Sequence, residues 1–229
     1  MTLDNDKKKP LNYAEFQEQK ANAKVPFYRN PYFLAAIVSM IILPLMRPFL
    51  RHIPPAPEVM YQLPIYQFKN QYGEGFGTEQ LKGKVYVASF LFTRCTTACP
   101  FVTKAMIDLQ KRFANAQVPV QIVSFTVDPD YDSPEVLKDF GLKQGANFDR
   151  WTFVTGTPLA MKAIIENGFK VPVGETKISG DMMDIAHTKK VVLVDGFGGI
   201  RGFYGTDESG IDEIFHRSQH VLNDMRKAN

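Results

Sequence analysis

Uncharged apolar runs, and apolar residues recurring at helical or alternate spacing, divide this chain into a short leading region and a long body. The first run is Tyr32 to Met46, YFLAAIVSMIILPLM, without a charged side chain. As a helix its fifteen residues span about 22 Å, short of a hydrocarbon core of about 30 Å. Extension to Leu50 closes the gap if Arg47 reaches its charge to the interface. Pro44 is tolerable in a membrane helix, where it introduces a kink. A secretory signal peptide fits poorly, because a long polar stretch precedes the run and MRPFLRHIPPAP follows where a small-residue cleavage site belongs. A buried helix of a soluble fold is the other alternative. Residues 31–50 are therefore expected to form one transmembrane helix after a tail over 1–30. The four prolines of HIPPAPEVMYQLP predict a stiff, extended spacer over 51–64, with the main domain over 65–229.

The body alternates between two periodicities. KVYVASFLF (84–92) and VQIVSFTV (120–127) read as buried strands, and WTFVT (151–155) as a short one. Between them, Phe101, Val102, Ala105, Met106, Leu109 and Phe113 recur at helical spacing. Ser133 followed by Pro134 and Glu135 predicts a capped helix start, and Thr157–Pro158 repeats the pattern in a segment ending at Gly168. KKVVLVD and IRGFYG flank the turn GFGG as a hairpin, and Asp207 to Arg226 reads as a closing amphipathic helix. Strands alternating with helices, then a hairpin and helix, predict a mixed α/β sheet covered on both faces, compatible with a thioredoxin-like fold. GEGFG (73–77) reads as a turn, since it lacks the Lys-Ser/Thr of a phosphate loop and follows no clear strand.

Charge adds orientation. Residues 1–51 hold eight Lys/Arg against four acids, whereas the remainder holds 19 against 20. A nearly neutral body lacks the footprint of a nucleic-acid binder. Six of the eight basic residues precede the apolar run, which predicts a cytoplasmic N-terminus and a periplasmic main domain on the bacterial inner membrane.

The chemistry centres on FLFTRCTTACPFV. Cys95 and Cys99, the only two cysteines, fall where a strand ends and a helix begins. Pro100 suits the first helical position, so Cys99 is expected at or near the N-cap, where the helix dipole favours a thiolate. With the first turn formed, both sulfurs can face one side. The pair can bind Cu(I) or zinc as soft ligands, or oxidise to a disulfide. A structural staple is the weakest reading, because so small a loop constrains little chain. Of the four histidines, His52 lies in the spacer, and His216 and His220 share a face of the last helix, a pattern more often solvated than ligating. His187 precedes the strand KKVVLVD, where it is either an ordinary hydrogen-bonded histidine or a ligand reaching a site at other strand ends.

FLFTRCTTACPFVTKAMIDLQKRF resembles the copper-site segment of the Sco/SenC family. FTVDPDYDSPEVLKDFGLKQGANFDRWTFVTGT and AHTKKVVLVDGFGGIRGFYGTD are similar to its later landmarks, and the resemblance covers Leu63 to the end. It implies a membrane-anchored, thioredoxin-like domain binding one copper ion, as Cu(I) or Cu(II), through Cys95, Cys99 and His187. It also implies a copper metallochaperone serving the dinuclear copper centre of cytochrome c oxidase, or another copper protein. The alternative is a thiol–disulfide oxidoreductase that reduces a copper protein's cysteines with Cys95 and Cys99 and holds no metal. A sensor with the tail as output is disfavoured by the tail's length. Many relatives carry Val-Asp before the histidine, where this chain has Ile185-Ala186 and its nearest acid is Asp184. Met182 and Met183 read as packing or loop residues. Asp128 and Asp132 read as turn residues beside the Ser133 cap, rather than as groups orienting the site. Arg94 and Lys104 either stabilise thiolates, dock an acidic partner or are solvated.

Overall fold

A computed structural model describes residues 12–14, 17–18, 28, 30–50, 55–94, 99–172 and 190–228, the side chains of 47–50, 99 and 228 excepted. The chain forms two compact units, Met1–Ile53 and Pro54–Asn229. In the first, α1 (Pro31–Leu50) forms where the apolar run predicts it. Asn30 caps it, its Oδ1 accepting from the Tyr32 N–H at 3.0 Å. Its apolar side chains are exposed, Met40 by 79% and Leu45 by 66%. Among the described residues, however, no helix is long and apolar enough to cross a membrane. The described side chains of α1 end at Met46, and Pro31–Met46 covers only about 24 Å of helix.

The second unit is built on an eight-stranded sheet of β1 (Tyr61–Gln62), β2 (Gln67–Asn70), β3 (Gly75–Gly77), β4 (Tyr86–Leu91), β5 (Gln121–Thr126), β6 (Trp151–Thr155), β7 (Lys190–Val194) and β8 (Gly199–Gly205). Their order is β1-β8-β7-β4-β5-β6-β2-β3. The central β4, β5 and β6 run parallel, and the remaining pairs are antiparallel. The helices are α2 (Thr78–Leu81), α3 (Cys99–Asn115), α4 (Pro134–Gln144), α5 (Pro158–Ala163) and α6 (Glu208–Ala228).

Strand alternation creates two cores. On one face Val87, Leu91, Ile122, Trp151 and Leu193 pack with Met106, Leu109 and Phe113 of α3, Leu137 of α4 and Ile214 and Val221 of α6. On the other, Ala88, Phe90, Val123, Phe125 and Val192 pack with Met161, Ile165 and Phe169. Each such large side chain contributes about 1.5–3 kcal/mol on burial. This two-sided demand explains why β4 reads as an unbroken apolar run. Polar groups on the central strands are paired here: Trp151 Nε1 donates to Ser124 Oγ at 2.8 Å, and Ser124 shares a 2.7 Å hydrogen bond with Ser89.

Three local expectations change. Only the first part of GEGFG turns; Gly75–Gly77 forms β3 and pairs with β2. A Cβ at Gly77 would fall 2.1 Å from the Tyr66 carbonyl oxygen, so the close strand approach requires glycine there. Residues at the end of the expected spacer belong to the sheet, Tyr61 pairing with Ile200 and Gln62 with Gly199. The segment after Thr157 stops at Gly168 but closes as a π turn over Ile164–Gly168, with the left-handed residue at Lys170 (φ 58°). Ser133 caps α4 as expected, accepting from the Val136 N–H at 3.3 Å, and Gly145 ends that helix at φ 77°.

A buried tyrosine pair, Tyr66 and Tyr86, has hydroxyls 3.3 Å apart. Burial pushes Tyr66 up to about 12, opposed in part by the Tyr86 hydroxyl. Burial first, then Tyr66 and Asp195, hold Tyr86 well above the usual phenol range. The native state keeps these protons where the unfolded chain releases them, so stability falls as pH rises from 10 towards 12. We expect two of the nine tyrosines to ionise, by absorbance at 295 nm, only together with loss of near-ultraviolet dichroism. Ionisation of all nine with the dichroism intact would contradict this.

Candidate metal centre

The central strands define one end of the sheet. Leu91 of β4 lies beside Thr126 of the parallel β5. β7 runs antiparallel to β4, with Ala88 opposite Val192 and Val87 opposite Leu193. β4 therefore ends where β7 begins. The chain passes from this end of β4 through Thr93 and Arg94 towards Cys95, and α3 opens at Cys99. Cys99 is the first helical residue, so Pro100 takes the second position rather than the first. Cys95 and His187 lie outside the described residues, as do Met182, Met183 and Asp184, and Cys99 is described in its backbone only.

The described residues nearest the cysteine segment are held by two acids of the β5–α4 loop. Asp132 is fully buried. Its carboxylate accepts from the Thr93 N–H at 3.2 Å, the Thr93 hydroxyl at 2.5 Å and the Thr126 hydroxyl at 2.5 Å. Burial raises the Asp132 carboxyl above the ordinary range; the threonine bonds oppose that, and Asp128 adds to it. Turn chemistry is thus the wrong reading for Asp132, whose carboxylate ties β5 to the chain two residues before Cys95. The Ser133 hydroxyl does the capping.

Asp128 works further out. Its Oδ2 accepts from Arg94 Nε at 3.2 Å and Nη2 at 2.6 Å, and the guanidinium lies 4.2 Å from the Tyr131 ring centroid. Arg94 is largely exposed, so this pair adds little stability. Its hydrogen bonds are directed to Asp128. Thr93, Arg94, Pro100, Thr103 and Tyr131 line a cleft of about 510 Å³. The buried Thr103 hydroxyl has no hydrogen-bond partner among the described residues. Thr93 and Thr126 escaped the sequence reading. The one available signal was a hydroxyl residue at or just past the end of each of two adjacent apolar strands, where alternation calls for neither.

Among the described residues, no group of three or more His, Cys, Asp and Glu side chains is arranged to hold a metal ion. His216 and His220 lie together on α6, as their spacing predicts. In sequence, Cys95 and Cys99 follow the end of β4 and His187 precedes the start of β7; two thiolates and an imidazole are, as residue types, suited to a soft ion.

The SCO1/SenC family model matches residues 60–223. A SCO1 protein homolog of Bacillus subtilis is 34% identical over 164 residues, covering 67% of this chain and 79% of that protein. Among solved structures, BsSco, a member of the Sco family of cytochrome c oxidase assembly proteins in which a disulfide switch was identified, is 31% identical. It superposes with a TM-score of 0.66 over 74% of this chain and 98% of its own. Copper-bound ScoI of Bradyrhizobium japonicum has 20% identity and a TM-score of 0.56, over 73% of this chain and 99% of its own. At that identity the likeness shows the thioredoxin-like fold alone.

Proposed function

The chain belongs to the SCO1/SenC family, and on that premise we propose that it is a metallochaperone carrying one copper ion on Cys95, Cys99 and His187. The recipient is the dinuclear copper centre of cytochrome c oxidase. One observation carries the ligand set: β4 ends and β7 begins side by side. Cys95 follows Leu91 by four residues and His187 precedes Lys190 by three. Those lengths reach at most about 14 and 10 Å, from strands about 4.8 Å apart. The two segments can therefore meet over one ion. Two thiolates and an imidazole form a trigonal set suited to Cu(I) and able to hold Cu(II). The residue types support copper as cargo, and the role named for BsSco supports the destination.

The disulfide switch of BsSco favours a second reading. Here the Cys95 and Cys99 thiols reduce a disulfide on a copper-protein partner, and two electrons leave as the Cys95–Cys99 disulfide forms. Both readings need reduced thiols at the start. The helix Pro31–Leu50 is the membrane anchor in this proposal, with Arg47 at the interface, the tail cytoplasmic and the Pro54–Asn229 unit periplasmic.

The deciding experiment titrates Cu(I) anaerobically into the reduced chain and the disulfide form, against a competing chelator. One ion held per reduced chain and none by the disulfide form is the expected result. A reduced chain that retains no copper yet reduces a small-molecule disulfide would replace the chaperone with the reductase.

A further inference from the structure

Helix α6 carries four chemistry-bearing residues at one spacing, Asp212, His216, His220 and Asp224. Successive members lie one turn apart on neighbouring positions of the surface. The opposite face, Ile211, Ile214, Ser218, Val221 and Met225, is buried in the domain, so the stripe stands on an immobilised helix. We propose that His216 and His220 form a second metal site, for a divalent late first-row ion, distinct from the cysteine site and independent of what the thiols bind.

Side chains four residues apart on a helix have Cβ atoms about 5–6 Å apart, and imidazole nitrogens bind such ions at about 2.0–2.1 Å. One ion therefore spans the pair without distortion of the helix, and water completes its coordination. His216 is 60% exposed, so the ion has open access. Its ring is also held in place. Phe215 meets it edge to face at 5.4 Å and is itself stacked on Phe113 of α3 at 5.7 Å.

The carboxylate beside the pair is anchored too. Asp212 Oδ1 accepts from Arg112 Nη1 of α3 at 3.0 Å, and its Oδ2 stands 3.8 Å from His216 Nε2. At 3.8 Å this is an electrostatic contact rather than a hydrogen bond, and it sets a negative charge beside the pair. At the far end Asp224 is drawn to Arg201, its Oδ2 3.7 Å from Nη1. Two imidazoles without a thiolate select borderline divalent ions, with Cu(II) bound ahead of Zn(II) and Ni(II).

The test uses the full chain with Cys95→Ser and Cys99→Ser, so that failure here is separate from failure of the thiol site. Cu(II) is titrated with calorimetry and electron paramagnetic resonance. We expect one equivalent with nitrogen hyperfine structure. His216→Ala and His220→Ala should each weaken it by more than about tenfold, and Asp212→Asn by a smaller factor. Zn(II) should displace Cu(II) only at higher concentration. Unchanged affinity and signal in both histidine variants, with helical dichroism retained, would overturn the site.

Discussion

His187→Ala in the reduced chain should weaken Cu(I) binding by at least about 100-fold, since even losing a group that only orients a ligand costs about 10–100-fold. Cys95→Ser or Cys99→Ser should abolish retention against the same chelator, because one thiolate and one imidazole leave a soft ion open to competition. The thiol-to-Cu(II) charge-transfer band should disappear in the cysteine variants and shift in the histidine variant. Urea unfolding midpoints equal to the parent's in all three variants would assign the loss to the site rather than to the fold. The reductase reading predicts a different pattern: loss of disulfide exchange in both cysteine variants and no effect of His187→Ala. Copper affinity unchanged in the histidine variant would therefore sink the three-ligand site, whichever activity survives.

Asp132→Ala is expected to destabilise the Pro54–Asn229 unit by about 3 kcal/mol. Hydrogen bonds to a charged group are worth about 1.5–3 kcal/mol each, and the deletion leaves Thr93 and Thr126 donors without their acceptor. Relief of a buried charge offsets part of that loss. Asp132→Asn keeps a carbonyl acceptor and should cost less. Equilibrium urea unfolding measures both. Burial holds the native carboxyl above 3.8, so the folded state takes up a proton before the unfolded chain does. The parent should therefore gain stability relative to Asp132→Asn as pH falls from the raised value to 3.8, and show no difference in slope above it. Copper binding should weaken along with stability in Asp132→Ala, because Thr93 starts the segment that carries Cys95. A fully stable Asp132→Ala variant would mean that the three bonds are not formed in solution.

Much of this molecule could be read from local pattern. The apolar run of β4 forms a strand buried on both faces because parallel central strands face two cores. Ser133–Pro134 and Thr157–Pro158 begin helices because each hydroxyl captures an N–H that the first turn leaves unbonded. The same logic misread Asp132. An aspartate just before a capping serine looks like a turn residue, and nothing nearby in sequence announces that its partners lie at Thr126 and, thirty-nine positions back, at Thr93. Tyr66, just before β2, and Tyr86, the first residue of β4, are likewise brought together only by the tertiary structure.

Composition, periodicity and motif order by themselves determined the mixed α/β class, the strand-to-helix junction at the cysteines and the resemblance to one family. Each depends on residues close together in the chain, or on their order along it. Strand order was decided only in the tertiary structure. It sets the start of β7 beside the end of β4, and it buries Asp132 under the approach to Cys95. Pairing between distant strands follows from how eight strands and their helices bury two cores at once, and no short stretch of sequence contains that constraint.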